Sequence, residues 1–451
     1  VHEKKLVVDG ITPVGAYAAL RTDAGRGSFL LESVIPGERW GRYSILGFRP
    51  EREISLHPES DANPFQRLSQ LVPGGDDASS MGERFARAHV GFVSYDTVHH
   101  AAKVDPWPER HGPLVHLLGQ ATVVVFDNLT HTASIASTNP AEVERAEALL
   151  SQVPALRPLS NPDPTRAPAN VESDVSDEEY GTGVERIKEH ILAGDAFQVV
   201  LARTFFVPTK NADAFQVYRA LRVLSPAPYM YLFELPATDD APAMAITGAS
   251  PETLVRVDGS RVTLRPIAGT RRRGRSDEED EALAREMLND PKERAEHVML
   301  IDLARNDLGR VSRSGSIGLV KNMVVERFSH VMHIVSEVTG ELRDEVGAWD
   351  VLGATFPAGT LSGAPKVRAM QIIRSLERRP RGIYGGAVGY VTGQRDLDFA
   401  IAIRTAVVRD GHIEVSAGAG IVADSVPALE AKETRNKAKA ALAAVFAAES
   451  R

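Results

Sequence analysis

The sequence predicts an α+β fold built on antiparallel sheets. Short apolar runs bounded by turn residues recur through the first 150 positions, as strands require. Later strand-like and helix-like segments do not alternate regularly, which argues against a doubly wound parallel sheet. No G-x-x-x-x-G-K-[ST] or G-x-G-x-x-G string marks a nucleotide loop of the kind such sheets carry.

The elements follow in order. Residues 28–31, 43–46, 88–93 and 121–126 read as strands, and 141–150 as a helix. Five prolines with Asn, Ser and Asp between 152 and 173 predict a linker, dividing the chain into domains at 1–165 and 174–451. Ser176 to Glu179 forms a capping box, Tyr180, Val184, Ile187 and Ile191 follow at helical spacing, and Gly194 ends the helix. Strands are expected at 197–206, 230–234, 244–248, 253–257 and 262–267, then one long helical region at 277–303. Further strands are expected at 383–390, 398–408 and 412–417, and a C-terminal helix at 440–448. His99 and His100 read as loop or surface residues, not metal ligands.

A chain of 451 residues with 43% hydrophobic and 25% charged content has the composition of a soluble globular protein with a large core. The net charge of −8 argues against nucleic acid or an anionic membrane as the main partner. No apolar run approaches the roughly 18 residues of a membrane span. Val1 to Lys5 lacks the apolar segment of a secretory signal, so a cytoplasmic location is expected. The absence of cysteine excludes disulfides, thiolate metal sites and every cysteine nucleophile.

Two charged segments stand out. Glu293 and Glu296 lie three residues apart, as do Glu430 and Glu433. On a helix that spacing puts both carboxylates on one face, where they repel unless a cation or proton intervenes. Such pairs are more often solvated surface. Here an apolar run, 297–301, begins beside Glu296, and Glu433 follows the Gly-rich stretch 416–420. Oxygen ligands from two helices suit a hard ion such as Mg²⁺, which draws further ligands from water and substrate. The pattern points to a metal-dependent enzyme acting on an anionic small molecule.

Other segments add anion-binding potential. Arg265 to Thr270 ends a strand in a Gly-Thr turn, Gly359 to Lys366 is a small-residue loop with Pro365 at a helix start, Gly418 to Gly420 admits close backbone approach, and Arg404 ends a strand-like run. Each alone is commonly an ordinary turn or ion pair.

Read together, the strings FQVVL (197–201), RPIAGT (265–270), ERAEHVMLIDLARNDLG (293–309), VMH (331–333), GTLSGAPKVRAM (359–370), GIYGG (382–386) and 417–437 resemble the chorismate-utilising enzymes. Within them the similarity is to the anthranilate synthase component I family, and it extends to 28–33 and 40–44. The resemblance implies two antiparallel sheets packed together with flanking helices, and chorismate, a cyclohexadiene dicarboxylate, as substrate. It implies Mg²⁺ held by Glu296 and Glu433, with Glu293 and Glu430 nearby and reaching the ion through water. It implies that Tyr384, Arg404 and the backbone of Gly418, Ala419 and Gly420 hold the enolpyruvyl carboxylate. Gly269 and Thr270 would line the substrate and Lys437 would add positive charge. His333, Thr360 and Glu252 are the catalytic candidates, a proton donor being needed where the C4 hydroxyl leaves.

The reaction implied is attack of ammonia at C2, giving aminodeoxyisochorismate, then loss of pyruvate to give anthranilate, the committed step of tryptophan biosynthesis. Gln198 stands where isochorismate and salicylate synthases carry a lysine that activates water, which argues against hydration. Ala268 stands where aminodeoxychorismate synthases often carry a nucleophilic lysine. Aminodeoxychorismate synthase and an aminodeoxyisochorismate synthase that stops early remain the alternatives. The resemblance implies a glutamine amidotransferase partner (component II) in a hetero-oligomer. It also implies tryptophan as feedback inhibitor, bound by Leu30, Glu32, Ser33, Pro228, Tyr229 and Met230. A kinase reading of Asp302 to Asp307 fails, because Asn306 follows Asp302 by four residues where the kinase loop has five and no D-F-G occurs. A silent chorismate or amino-acid sensor would lack the set of Glu, His, Tyr and Arg candidates.

Overall fold

Strand pairing organises the chain into two antiparallel sheets. The computed structural model describes residues 1–33, 39–58, 63–72, 78–108, 112–209, 212–239, 241–328, 331–393, 395–409 and 411–449. Among these, one sheet has twelve strands and the other ten. The larger runs from His2–Val7 at one edge, through Ser28–Glu32 and Tyr229–Leu235 at its middle, to His412–Ile421 and Gln198–Pro208 near the other edge. The smaller carries Ile267–Arg272, Val331–Glu341, Thr253–Asp258, Asp396–Ile401, Ala387–Thr392 and His89–Val93 in that order of approach.

The two sheets meet face to face. Phe29, Tyr231, Phe233 and Val407 of the larger sheet share one core with Val90, Phe92 and Val388 of the smaller. Helices Pro13–Leu20, Ala214–Leu224 and Pro427–Glu449 cover the outer face of the larger sheet. Helices Pro64–Leu71, Pro291–Gly309 and Ala348–Thr355 cover that of the smaller. The alternating burial of strands such as Gln198–Pro208 fits this layering, since successive side chains point to opposite faces. No helix of the described residues is long and apolar enough to cross a membrane.

Both sheets combine strands from before and after the linker. Ser28–Glu32, before it, pairs with Tyr229–Leu235, after it, and His89–Val93 pairs with Ala387–Thr392. The linker itself is irregular until the short strand Glu172–Ser173. The capping box at Ser176 and Glu179 is present, and Gly194 takes φ +82° just beyond helix Asp177–Leu192.

Several expected elements divide. The helical region at 277–303 is two helices, Asp277–Asn289 and Pro291–Gly309. Asp290 breaks it: its carboxylate caps the second helix at the amides of Lys292 and Glu293, and Pro291 supplies no amide of its own. The strand expected at 262–267 splits around Pro266 into Arg261–Leu264 and Ile267–Arg272. The strand expected at 383–390 starts only at Ala387, after a turn. The strand expected at 398–408 breaks at Arg404, whose φ of +50° no strand accommodates. Pro365 is the N-cap of helix Lys366–Leu376, not its first helical residue. His99 and His100 lie on a one-turn helix, Val98–Ala101, where His99 packs on Trp107 with ring centroids 5.2 Å apart.

Candidate active site

The four glutamates come from two helix N-terminal regions. Helix Pro291–Gly309 carries Glu293 and Glu296, and helix Pro427–Glu449 carries Glu430 and Glu433. Their fields overlap: Lys437 acts on Glu296, and Lys292 on Glu430. Burial pushes the Glu296 carboxyl above its ordinary range, with Glu293 adding repulsion and a 3.4 Å bond from Gln198 Nε2 opposing it. Burial likewise raises Glu430, and Glu433 adds to it. The other two are paired: Arg271 Nη1 donates to Glu293 Oε1 at 2.8 Å, and Lys437 Nζ lies 2.7 Å from Glu433 Oε1. Among the described residues no three His, Asp or Glu side chains are gathered tightly enough to hold an ion unaided.

Glu252 is the most perturbed carboxyl at this end of the fold. It follows strand Met244–Ser250, and its backbone is pinned by Ser250 Oγ and by the amide of Ile401. Thr360 Oγ1 donates to Glu252 Oε1 at 2.9 Å. Burial nevertheless pushes its pKa up to about 7, the charges of Lys437 and Arg404 opposing. Glu252 and Thr360 line a cavity of about 50 Å³ whose other walls include Leu254, Leu264, Leu300, Leu303 and Ile401.

Arg404 faces Glu252 from a left-handed backbone position, with φ +50°. Such a conformation costs about 1–3 kcal/mol in a non-glycine residue. Burial pushes the guanidinium below its ordinary pKa, and its side-chain hydrogen bond among the described residues is a long one, 3.5 Å, to Ser225 Oγ. A buried guanidinium with so few partners is suited to a bidentate carboxylate.

His333 lies beside Gly269 and Thr270, on strand Val331–Glu341 next to Ile267–Arg272. Its Nδ1 is 2.9 Å from the Gly269 carbonyl. A carbonyl only accepts, so Nδ1 carries the proton and Nε2 of the neutral ring is the free acceptor. Burial holds the imidazole below its ordinary pKa and Arg404 adds to this, while the Gly269 bond and Glu326 oppose. The ring therefore stays neutral near pH 7, better suited to accept a proton than to donate one. Gly269 has φ +64°, and a Cβ there would also sit 3.3 Å from Glu293 Oε2.

Tyr384, Gly418 and Lys437 lie against one another. Lys437 Nζ donates to the Gly418 carbonyl at 3.0 Å. A Cβ on Gly418 would lie 2.8 Å from Leu201 O and 2.9 Å from Tyr384 Oη, so only glycine fits. Burial raises the Tyr384 phenol well above its ordinary pKa, leaving it a neutral hydrogen-bonding group. Ala419 is buried, and Gly420 packs against the Gln198 amide.

A second cavity, of about 80 Å³, lies between the sheets. Leu31, Glu32, Ser33, Pro228, Tyr229 and Met230 contribute to its lining, with Tyr390 and Asp398 across from them. Ser33 Oγ is buried and has no hydrogen-bond partner among the described residues. Glu32 is already engaged, accepting from Tyr218 at 2.6 Å and Arg222 at 3.1 Å. Leu30 is not brought to this cavity. It is fully buried on the helix-covered side, because alternate strand residues face opposite ways.

Sequence reasoning overlooked Arg271, which neutralises Glu293, and the Gln198 amide bond to Glu296. Arg271 directly follows the Gly-Thr turn, and that adjacency was a usable signal. Nothing local reveals Ser225 as a neighbour of Arg404.

Residues 28–443 match the family described as chorismate binding enzyme. The chain is 44% identical to anthranilate synthase component 1 of Pseudomonas putida, covering 98% of this chain and 94% of that protein. It is 43% identical to anthranilate synthase component 1 of Aquifex aeolicus (strain VF5), covering 99% and 94%. The crystal structure of anthranilate synthase component I from Streptococcus pneumoniae TIGR4 superposes with a TM-score of 0.78 at 36% identity, over 91% of this chain and 94% of that one.

Proposed function

This chain belongs to the chorismate binding enzymes, and we propose that its cleft converts chorismate and ammonia to anthranilate and pyruvate through aminodeoxyisochorismate. It is an enzyme of the anthranilate synthase type, a lyase. The observation that carries the mechanism is Glu252, a carboxyl with a pKa near 7 between Thr360 and Arg404.

In the first step ammonia forms a bond to C2. The ring double bonds shift, the C4–O bond breaks, and the hydroxyl leaves as water with a proton from Glu252. Thr360 orients that carboxyl. A neutral carboxylic acid near its pKa is an efficient donor at neutral pH. In the second step the C2 proton is removed, the C3–O bond breaks, the ring becomes aromatic, and the enolate of pyruvate departs and takes a proton from water at its methylene carbon to give pyruvate. His333 Nε2 is the acceptor for that proton, its Nδ1 being held by Gly269 O. Arg404, Tyr384 and the backbone from Gly418 to Gly420 hold the enolpyruvyl carboxylate. Lys437 and Thr270 complete the walls.

The donor set fits Mg²⁺. All four glutamate side chains offer oxygen, two are destabilised by burial and like charge, and the other two are balanced by side chains that a divalent ion would displace. Glu296 and Glu433 would hold the ion directly, and Glu293 and Glu430 through water. The ion would supply positive charge against the ring carboxylate.

Ammonia comes from a glutamine amidotransferase partner, in a hetero-oligomer working in the cytoplasm. The name component 1 borne by the relatives implies a second component, and this chain has no cysteine for glutamine hydrolysis. Tryptophan occupies the second cavity and inhibits. The Ser33 Oγ, without a partner among the described residues, and the aromatic and methionine lining support that reading. The test is incubation with chorismate, Mg²⁺ and ammonium, followed by anthranilate fluorescence and product mass. Aminodeoxychorismate, or aminodeoxyisochorismate without pyruvate, would overturn the reading.

A further inference from the structure

The wall between the two cavities is thin at one point. Thr253 lines the cavity that contains Glu252 and Thr360, while Tyr229 and Asp398 line the second. The Tyr229 hydroxyl donates to Asp398 Oδ1 at 3.0 Å and lies 2.9 Å from Thr253 Oγ1. Having given its proton to Asp398, it accepts from Thr253.

Thr253 needs such a hold. The pairing of strand Thr253–Asp258 with Asp396–Ile401 is irregular at its start: Thr253 faces Ala400, Val255 faces Phe399, and the register shifts between them. Bulges of this kind disrupt the ladder locally and re-aim side chains beside active sites. Glu252 immediately precedes the irregularity. We propose that Tyr229 and Asp398 are positioning residues for Glu252, acting through the Thr253 hydroxyl, so that the two cavities share one hydrogen-bonded wall. A ligand that touches Tyr229 or Asp398 in the second cavity bears on the same chain. The proposal rests on the reading of Glu252 as the proton donor in chorismate turnover. The charged groups facing Glu252 are Lys437 and Arg404, and those facing Asp398 are Arg256, Asp258 and Arg84.

The test uses the full chain with chorismate, Mg²⁺ and ammonium. Tyr229→Phe and Thr253→Val each delete one hydroxyl contact and keep the packing volume. A misplaced donor should lower kcat about tenfold or more while KM for chorismate stays within about twofold, and the pKa seen in the kcat profile should move away from that of the wild type. Thr253→Ser, which keeps the hydroxyl, should restore most of the rate. Unchanged kcat and pH profile in both deletions would overturn the proposal, as would a Thr253→Ser enzyme no faster than Thr253→Val. If the wild-type chain itself fails to turn over chorismate, the functional reading falls first and the proposal with it; an active wild type with unaffected variants sinks the proposal alone.

Discussion

Thr360 Oγ1 and Glu252 Oε1 are joined by a 2.9 Å hydrogen bond across 108 residues of sequence. The bond favours the ionised carboxyl, yet burial outweighs it and leaves the pKa at about 7. The pair is therefore a proton donor held in a fixed direction.

Glu252→Gln should lower kcat by about two to four orders of magnitude, as expected for loss of a general acid. The acid form is present below pH 7 and disappears above it, so wild-type kcat at saturating, fixed free ammonia should fall as pH rises through about 7. The same burial makes the ionised side chain a liability. Its folded pKa is above the ordinary carboxyl value, so its favourable contribution is complete at low pH and is lost as pH passes 7. At pH 8 the variant should melt higher than the wild type; an equal or lower melting temperature would show that burial is not the cause of the shift.

Glu296→Gln and Glu433→Gln should abolish turnover without unfolding the chain. Removing one carboxylate from a crowded anionic group relieves repulsion, so the ion-free proteins should be as thermostable as the wild type or slightly more so. Titration calorimetry with Mg²⁺ in the presence of chorismate should give heat for the wild type and little for either variant. Full wild-type activity in excess chelator would reject the metal assignment.

Turnover should occur with ammonium salts and, at fixed total ammonium, rise as pH approaches 7, where more of the ammonia is unprotonated, then level off above it as the Glu252 acid is lost. Glutamine should support no turnover by the pure chain, because its 451 residues include no cysteine. Glutamine-driven anthranilate formation without a second protein would contradict this.

Tryptophan should bind the second cavity and inhibit. Ser33→Phe fills the cavity at a hydroxyl that has no partner among the described residues and should abolish inhibition with little change in the uninhibited rate, since Ser33 does not line the cavity that holds Glu252. Calorimetry showing no heat with millimolar tryptophan would remove the regulatory reading and leave the catalytic one intact.

His89 and His116 predict acid sensitivity. Both are buried on paired strands, and each has an Nε2 without a hydrogen-bond partner among the described residues. Burial lowers each pKa from 6.5 to about 4. The unfolded chain takes up these protons first as pH falls, so stability should decline between about pH 6.5 and 4, by roughly 2–3 kcal/mol per histidine. His116→Gln should flatten that decline in urea titrations; an unchanged slope would show that His116 does not contribute.

Much of the scaffold was legible because its causes are local. Alternating apolar residues, the proline-rich linker, the Ser176 capping box and the stop at Gly194 each act over a few neighbouring positions. The misread boundaries were also local in cause but weak in signal. Asp290-Pro291 ends one helix and starts another without interrupting the charged pattern, and Arg404 adopts a left-handed conformation that arginine does not advertise.

The sequence by itself determined the identity of the chemical groups: four glutamates on two helices, a histidine in the string VMH, a Gly-rich stretch at 416–420, and no thiol. Tertiary structure alone decided their states. Glu252 and Thr360 meet only because strands distant in sequence pair into the same layers, and burial there sets the carboxyl pKa near 7. Glu293 is balanced by Arg271, Leu30 faces away from the second cavity while Leu31 lines it, and Tyr229 reaches Thr253 and Asp398 across two sheets. The physical reason is range. Propensity and periodicity act between near neighbours, whereas desolvation and charge coupling depend on which distant segments exclude water from the same space.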